Sequence, residues 1–476
     1  MSNFVLDIEK ICEFLSDENM EITEKNDLFL IQKYIPTIFT IYSNKSKKNL
    51  YNSAFLYCKK IIDHVDSWYT PNISEILCNI INNSMKTEKE YAFLLLDYLI
   101  EKNNKEIRIC MPELVPFVTT FINDVIQNIK QYSSNVLEKL LKCSGNIDLD
   151  SFIPIVLKGI KDHNLTYDAV ESLASCVFVQ NVEAPALAIT MPIIMRGLKD
   201  KKTATRRLTC VIVDNMCKLI EHPKEILPFY ANLKNELERC NDTMSDPEAR
   251  KVSARALNTL KESCAENENA IFKKLPSEFQ KIIIEKCNEK SISYNDDMLK
   301  NICVLTANLC NSHYFEQEIW NKIYEKYGLQ DIMEFIYNSA KDSFKVKEFI
   351  FEDTEEGKDL YKGDFSLAYG ALTLLNNTNL HLKQNRFYGL LGPNNCGKTT
   401  LMRAIANEQV EGFPKKDELK TVFVEHEIQE IEVGEDDKGF PILNIDLCGI
   451  DWVVHCCNVL YKMEPVVTSE QVEKVM

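Results

Sequence analysis

Apolar and polar positions alternate with helical spacing through most of the first 345 residues. Segments such as SEFQKIIIEKCNEK and DIMEFIYNSAKDSF place apolar residues three and four positions apart, the spacing that lines one face of an α-helix. The glycines are unevenly distributed along the chain: four of the 14 lie in the first 340 residues, and ten lie between Gly357 and Gly449. Glycine is costly inside helices and common in tight turns. The pattern predicts a mainly helical region followed by a mixed α/β segment.

Five prolines stand inside similar short apolar runs, such as SFIPIVL around Pro154 and ITMPIIM around Pro192. The last four, at positions 116, 154, 192 and 228, are spaced 38, 38 and 36 residues apart. A period near forty in helical sequence is typical of two-helix repeats of the HEAT class. We therefore predict an α-solenoid over residues 1–269. A generic helical bundle whose prolines recur by chance is the alternative.

Charged residues stand at the predicted repeat turns. Asp162 and Asp200 follow the first helix of two repeats, and Asp246 precedes the second helix of the next. An aspartate in such a turn can cap the following helix. An arginine of the second helix can tie neighbouring repeats together through its planar guanidinium, and the candidates are Arg207, Arg250 and Arg255.

The region after the repeats has two parts. Four amphipathic segments with short polar joints lie between residues 270 and 345 and predict a small helix bundle. The acidic stretch FEDTEE at 351–356 then predicts an exposed linker to the mixed α/β segment.

The strongest local signal is GPNNCGKTT at 392–400, preceded by RFYGLL and followed by LMRAIA. These letters predict a strand over 386–391, a loop and a helix, with the G-x-x-x-x-G-K-T spacing of a phosphate-binding loop. Such a loop and the positive end of its helix surround phosphate oxygens with N–H groups. We expect Lys398 to reach the β- and γ-phosphates of ATP and the Thr399 hydroxyl to hold Mg²⁺. Asn395 replaces a glycine of many such loops, and asparagine tolerates positive φ.

The segment GPNNCGKTTLMRAIANEQVEGFP resembles the first nucleotide-binding domain of the ATP-binding-cassette proteins, specifically of the fungal-type translation elongation factor three family. The upstream segment FSLAYGALTLLNNTNLHLKQNRFYGLLGPN is similar to the same family, as are the repeats containing MPIIMRGLKDKKTATRRL and SDPEARKVSARALNTLK. The fold class that follows is mainly α, a HEAT-repeat solenoid and small helix bundle, followed by a partial α/β P-loop cassette domain. Residues 346–476 would be the N-terminal, incomplete part of that cassette.

The resemblance also implies which residues bind ATP. Tyr369 would stack on the adenine, although a core tyrosine on a strand is the alternative. His426 stands where related cassettes carry a glutamine that senses Mg²⁺ and the γ-phosphate. The residues lining the phosphates would be Gly392, Pro393, Asn394, Asn395, Cys396, Gly397, Lys398, Thr399 and Thr400.

The family's function is implied in the same way. The resemblance implies a cytoplasmic, ribosome-associated ATPase that drives release of deacylated tRNA from the ribosomal exit site. Its partners would be ribosomal RNA, ribosomal proteins and elongation factor one alpha. A working cassette also needs a hydrophobic-Asp-Glu strand end and a Leu-Ser-Gly-Gly type of loop. No Gly-Gly pair occurs in the sequence, and Asp446 is followed by Leu447.

These departures limit the expected activity. We expect no ATP hydrolysis by this chain alone, either because it is truncated within the first cassette or because a separate chain supplies the missing halves. The alternative is a catalytically inactive HEAT-repeat scaffold that binds ribosomes or proteins and carries a vestigial P-loop, since solenoids present extended binding surfaces without any chemistry.

The chain is acidic overall but contains one local cluster of basic residues. There are 71 acidic and 55 basic residues, a formal charge of −16, which excludes a general binder of nucleic acid or membrane surfaces. No window of about eighteen apolar residues predicts a bilayer span. Six cations nevertheless lie within twelve residues and are candidate ribosome contacts, with a solvated face as the alternative: Arg196, Lys199, Lys201, Lys202, Arg206 and Arg207.

The 17 cysteines are scattered and form no C-x-x-C pair. A zinc or redox site would need that close pairing. The cluster His455, Cys456 and Cys457 lacks further ligands at suitable spacing. We therefore predict reduced, mostly buried thiols rather than a metal site.

Overall fold

The chain divides into two compact units in the computed structural model. One unit comprises Met1–Lys358 and Gly363–His381, and the other comprises Asp359–Lys362 and Leu382–Met476. The structure describes residues 15, 22, 24, 26–179, 181–220, 222–264, 275–312, 314–343, 358–369, 372–391, 397–410, 412–424, 434–435 and 441–442.

Six successive helix pairs form the repeats of the described part of the first unit. A helical turn at Asp27–Phe29 and a π-helical turn at Leu30–Tyr34 lead into them. The pairs are α1 (Ile35–Ser43) and α2 (Tyr51–His64), α3 (Thr70–Asn83) and α4 (Lys86–Lys102), α5 (Met111–Thr119) and α6 (Gln127–Lys142), α7 (Ile153–Lys161) and α8 (Thr166–Ala174), α9 (Ala184–Leu198) and α10 (Thr203–Lys218), and α11 (Leu227–Thr243) and α12 (Pro247–Ser263).

Short helical turns occupy many of the connections. Two of them lie within pairs, at Lys45–Leu50 and His163–Leu165, and the others lead from one pair to the next, at Ser67–Tyr69, Glu106–Cys110, Ile147–Asp150 and Pro223–Glu225. Pro154 and Pro228 stand in the first turn of α7 and α11, where proline is tolerated because no intrahelical N–H is needed. Pro116 and Pro192 lie inside α5 and α9. The proline period therefore marks the first helix of the third to sixth pairs, but not always its start.

Second helices stack on one another along the solenoid, as α4 on α6, α8 on α10 and α10 on α12. Gly197 shows how closely the fifth pair packs. A Cβ at this position would lie 2.4 Å from Thr209 Oγ1 and 3.1 Å from a Val170 methyl. Glycine is required there because the backbone of α9 approaches its neighbours too closely for a side chain.

Two of the three predicted aspartate caps are present, whereas Asp200 accepts from the Lys202 N–H at 2.7 Å within the turn and no side chain caps α10. Asp246 accepts hydrogen bonds from the N–H groups of Glu248 and Ala249, both at 3.2 Å, and so caps α12. Asp162 caps the short turn before α8 by accepting from the Asn164 N–H at 2.9 Å. Each oxygen satisfies an N–H group that a helix start leaves without a partner.

An arginine joins consecutive repeats, as predicted, and it is Arg255. Its Nε lies 2.9 Å from Oδ2 of Asp214, which is completely buried on α10. Lys218 Nζ is 2.9 Å from the same oxygen, and the Thr259 hydroxyl donates to Oδ1 at 2.7 Å. Arg250 instead donates to backbone carbonyls of its own turn. The buried carboxylate is therefore compensated by two cations and a hydroxyl.

Four helices follow the repeats, as the amphipathic pattern predicts: α13 (Pro276–Glu289), α14 (Asp296–Asn311), α15 (Gln317–Lys326) and α16 (Gln330–Ser343). Helix α14 packs against the Ser67–Tyr69 turn near the start of the repeats. Asn301 lies at this contact, and Lys326 Nζ lies 2.6 Å from the buried carboxylate of Asp27. The helices after the solenoid thus dock near its start, on the turn before the first helix pair and on the connector that follows this pair.

The strands come from both units. In the first unit β1 (Val177–Phe178) pairs antiparallel with the end of β2 (Asp359–Tyr369), with Val177 opposite Tyr369, and β3 (Leu372–Lys383) lies on the other side of β2. The first four residues of β2 and the last two of β3 belong to the second unit. In the second unit Tyr361 packs on Phe413 at 5.0 Å between ring centres. This unit also contains α17 (Lys398–Ala406) and the short pair β4 (Gly434–Glu435) and β5 (Pro441–Ile442).

The predicted fold class, a mainly helical solenoid and bundle before a P-loop segment, is confirmed. Among the described helices none is long and apolar enough to cross a membrane. No disulfide joins the cysteines that the structure describes. Burial raises the pKa of the Cys217 thiol to about 12, which is typical of an inert structural cysteine. The predicted linker at 351–356 and the His455 cluster lie outside the described residues.

Candidate functional site

The start of α17 carries the chemistry of the predicted phosphate loop. Gly397 precedes this helix with φ 93° and ψ 8°, a left-handed conformation that glycine adopts without strain. Lys398 is the first residue of the helix, Thr399 is exposed, and Thr400 is half-buried. No side chain caps this nine-residue helix. Its first N–H groups and positive end therefore suit an anionic phosphate.

One local prediction is wrong. Residues 386–391, predicted as the strand before the loop, have irregular backbone. Phe387 is 98% exposed and Leu391 is 94% exposed. Such apolar runs form strands where neighbouring strands pair with the backbone and helices cover both faces of the sheet, and no strand among the described residues pairs with this stretch.

The other predicted ATP ligands are placed only in part. Gly392, Pro393, Asn394, Asn395, Cys396 and His426 lie outside the described residues. Tyr369 is the last residue of β2 and belongs to the first unit, whereas Lys398 belongs to the second. The adenine-stacking role of Tyr369 stays a prediction. No group of metal-ligating side chains was found among the described residues.

The six predicted basic residues differ in whether their side chains form contacts between helices or lie near solvent. Arg196 is half-buried, and its guanidinium donates to the carbonyls of Gly159 and Ile160, so it ties α9 to α7. Burial lowers the pKa of this guanidinium from its usual value. Arg206 Nη1 donates to the Thr243 hydroxyl at 3.0 Å. These two side chains stabilise contacts between helices.

The remaining four lie closer to solvent. Lys199 is exposed and lies 3.4 Å from the Glu236 carboxylate. Lys201 and Lys202 are exposed in the turn, and Lys202 Nζ lies 5.8 Å from the centre of the Tyr167 ring. Arg207 is half-buried on α10. The turn between α9 and α10 therefore presents a smaller basic surface than the sequence suggests.

Sequence reasoning missed the acidic side of this turn. Glu236, on α11, binds Arg239 Nε at 2.7 Å as well as Lys199. Arg239 also donates to the Leu198 carbonyl at the end of α9. The sequence does show Glu236 and Arg239 three residues apart, a spacing that places an acid and a base side by side on one helix. It could not show that they also contact Lys199 and Leu198 at the end of α9, because those contacts depend on how the repeats pack.

These features define a class of protein: a HEAT-type solenoid followed by a segment whose helix N-terminus is suited to bind phosphate. The comparison with known families is specific. Residues 164–271 match the family model of the elongation factor 3/GNC1 HEAT repeat, and residues 375–435 match the ABC transporter model.

Curated relatives match over most of the chain. It is 36% identical to elongation factor 3 of Candida albicans over 374 residues, which is 75% of this chain and 35% of the relative. It is 36% identical to elongation factor 3 of Phytophthora infestans over 407 residues, 81% of this chain and 39% of that protein. For elongation factor 3A of Saccharomyces cerevisiae the identity is 32% over 414 residues, 84% of this chain and 40% of the relative.

The predicted resemblance to the elongation factor three family is confirmed by these matches. The matched region contains both the repeats and the start of the cassette segment. The chain spans 35–40% of the length of these relatives.

Proposed function

We propose that this chain acts in translation as a ribosome-associated, ATP-binding factor of the elongation factor three type. The observation that carries the proposal is the similarity to elongation factor 3 proteins over 75–84% of the chain. The finer function is ATP-driven release of deacylated tRNA from the ribosomal exit site. On this proposal the protein works in the cytoplasm, where ribosomal RNA, ribosomal proteins and elongation factor one alpha are its partners.

The ATP site would be built around the start of α17. The helix N-terminus and Lys398 would hold the phosphates, and the exposed Thr399 hydroxyl would hold Mg²⁺ through ATP. Gly392 to Cys396 and Thr400 would complete the phosphate cradle, with Tyr369 against adenine and His426 near the γ-phosphate. The bound nucleotide would supply the phosphoanhydride bond, and Mg²⁺ would neutralise part of the negative charge on its phosphate oxygens. This chain's residues bind and orient it.

Hydrolysis would need carboxylate and Ser-Gly-Gly elements that this sequence does not carry. We therefore place turnover in an assembly in which a separate cassette segment supplies them. The second candidate function is a HEAT scaffold that binds ribosomes without turnover, since a solenoid presents an extended binding surface without any chemistry. The two differ in one respect, because only the first requires ATP to change ribosome binding.

The ribosome contact would include the turn between α9 and α10, where Lys201 and Lys202 are exposed. Arg207, Lys199, Arg206 and Arg196 would add positive charge behind them. Lysines in such a turn attract phosphate groups, and the attraction weakens with salt.

Co-sedimentation with purified ribosomes tests this contact. The double variant Lys201→Glu and Lys202→Glu should pellet less than the wild-type chain at low salt. The control is Lys281→Glu with Lys290→Glu, two exposed lysines on and just after α13 that give the same change in charge. Equal pelleting of both variants and wild type would refute the assignment of this turn.

A further inference from the structure

Two buried cysteines meet between the fifth and sixth helix pairs. Cys210 lies in the middle of α10 and Cys240 lies in the last turn of α11, and both side chains are completely buried. The two thiols form a hydrogen bond with each other, although they are 30 positions apart in the chain. Thiols in such contact need only small side-chain rotations to form a disulfide.

The two thiols differ in how readily they lose a proton. The Cys240 thiol donates to the Leu198 carbonyl oxygen, at the end of α9, at 3.2 Å. The hydrogen bond from Cys210 lowers the pKa of the Cys240 thiol, whereas the same hydrogen bond and burial raise the pKa of the Cys210 thiol. Because the thiolate is the reactive form of cysteine, Cys240 is the nucleophile of the pair.

Two arginines add positive charge around Cys240. Arg206 and Arg239 both lower the pKa of its thiol, while burial and Glu236 oppose them. Arg206 Nη1 donates to the Thr243 hydroxyl at 3.0 Å, one turn beyond Cys240. Among the described residues nothing accepts a hydrogen bond from the buried Arg206 Nε. A thiolate at Cys240 would therefore give this guanidinium a negative neighbour that the reduced, neutral pair does not supply.

The position of Cys240 in its helix gives a small oxidant a route to its sulfur. Helix α11 ends at Thr243, and both Asp242 and Thr243 are exposed. Helix ends open locally at a small cost in free energy. Opening of this last turn would uncover Cys240, whereas Cys210 stays covered in the middle of α10.

We propose that Cys210 and Cys240 form a reversible disulfide when the protein meets hydrogen peroxide. The Cys240 thiolate attacks a peroxide oxygen, the O–O bond breaks, and the leaving hydroxide takes up the proton that Cys240 released, which leaves a sulfenic acid at Cys240. The Cys210 sulfur then attacks the Cys240 sulfur. The S–S bond forms, the S–O bond breaks, and the hydroxide leaves as water with the proton of Cys210. Two thiols and one peroxide thus give one disulfide and two waters.

The bond would tie α10 to α11 covalently, and a thiol reductant would reverse it by exchange. Reversible disulfides of this kind are typical of redox-sensing sites in reducing compartments. The inference does not depend on the proposed function, because it requires neither ATP nor ribosomes.

Peptide mapping of the oxidised full-length chain tests the proposal. The reduced protein is treated with hydrogen peroxide at neutral pH, remaining thiols are blocked with iodoacetamide, and trypsin cleaves the protein without reductant. Trypsin releases peptide 208–218, which contains Cys210 and Cys217, and peptide 240–250, which contains Cys240. We expect a linked product about 2 Da lighter than the sum of the two reduced peptides, and dithiothreitol should separate it.

Three variants assign the bond and the roles of its sulfurs. Cys217→Ser, which removes the other cysteine of peptide 208–218, is the matched control and should keep the linked product. Cys210→Ser should abolish the product and leave Cys240 as a sulfenic acid that dimedone labels. Cys240→Ser should abolish the product and leave Cys210 unlabelled, since its pKa is raised.

A second pair of neighbouring thiols serves as an internal control in the same digest. Cys78 lies near Cys110, but burial raises the pKa of the Cys78 thiol to about 12. The peptides of this pair should link at least about tenfold more slowly than those of Cys210 and Cys240. The proposal is overturned if peptides 208–218 and 240–250 stay unlinked, if the link persists in Cys210→Ser, or if dimedone labels Cys210 instead of Cys240.

Discussion

Asn301 on α14 joins the helices after the solenoid to the segments on either side of its first helix pair, and its replacement by alanine should be costly. The side chain is 3% exposed. Its Oδ1 accepts from the Tyr69 hydroxyl at 2.5 Å and the Leu28 N–H at 3.3 Å, and its Nδ2 donates to Asn26 Oδ1 at 3.0 Å. A fourth hydrogen bond, to the Asp297 carbonyl at 2.7 Å, stays within α14.

The magnitude follows from the three hydrogen bonds that leave α14, to Asn26, Leu28 and Tyr69. A neutral hydrogen bond contributes about 1 kcal/mol net, and a buried group left without its partner costs more. The Tyr69 hydroxyl keeps a neighbour, the Tyr327 hydroxyl at 3.3 Å, which limits the loss. We expect Asn301→Ala to lower the free energy of unfolding by about 3 kcal/mol.

Urea unfolding followed by far-ultraviolet circular dichroism and tryptophan fluorescence measures this loss. The matched control is Asn83→Ala, which removes an exposed asparagine on α3 whose Nδ2 donates only to the Asn79 carbonyl. The control should change the free energy of unfolding by less than about 0.5 kcal/mol. A loss below about 1 kcal/mol for Asn301→Ala would refute the view that this side chain holds the two regions together.

Two other predictions concern packing and pH. Gly197→Ala should cost about 1–3 kcal/mol of unfolding free energy, because its Cβ would meet Thr209 Oγ1 at 2.4 Å; Gly389→Ala, where a Cβ has open space, is the control in the same urea assay. Glu225 has a pKa of about 7 in the folded chain against 4.5 for the free side chain, so the folded state binds the proton more tightly. Its contribution is complete below pH 4.5 and is lost as pH rises through 7, a change of up to about 3 kcal/mol. Glu225→Gln should remove that change, and equal pH dependence of variant and wild type between pH 5 and 8 would contradict it.

Much of the fold could be predicted because its signals are local. Prolines spaced 38, 38 and 36 residues apart mark the last four helix pairs, and helical apolar spacing indicates the helices, without any knowledge of packing. The Asp246 cap could be predicted because it depends on residues two and three positions away. Arg255 was predicted only as one of three candidate arginines, because its ion pair with Asp214 depends on how α10 packs against α12.

Contacts between distant residues could not be predicted. The amide of Asn301 bonds to Tyr69, 232 residues away in the chain, and no periodicity marks that pairing. A cavity lined by Trp68, Glu225 and Tyr314 is equally hidden, because these residues belong to connectors that are far apart in the chain. The strand predicted at 386–391 failed for a related reason: a strand needs a neighbour, and its own residues cannot supply one.

Part of the candidate site was visible from spacing alone. The G-x-x-x-x-G-K-T pattern located the helix start at Lys398, whereas the left-handed conformation of Gly397 came only from the structure. The basic turn was located as well, but the sequence could not show that Arg196 and Arg206 are used between helices.

The central claim is that one chain joins a ribosome-binding solenoid to a working ATP site. Its most direct test is ribosome co-sedimentation of the wild-type chain and Lys398→Ala, each with and without ATP and Mg²⁺. We predict that both proteins pellet with ribosomes, and that ATP with Mg²⁺ changes the pelleted fraction of the wild type but not of the variant. A pelleted fraction that ATP leaves unchanged in the wild type, or no pelleting at any salt concentration, would contradict the account.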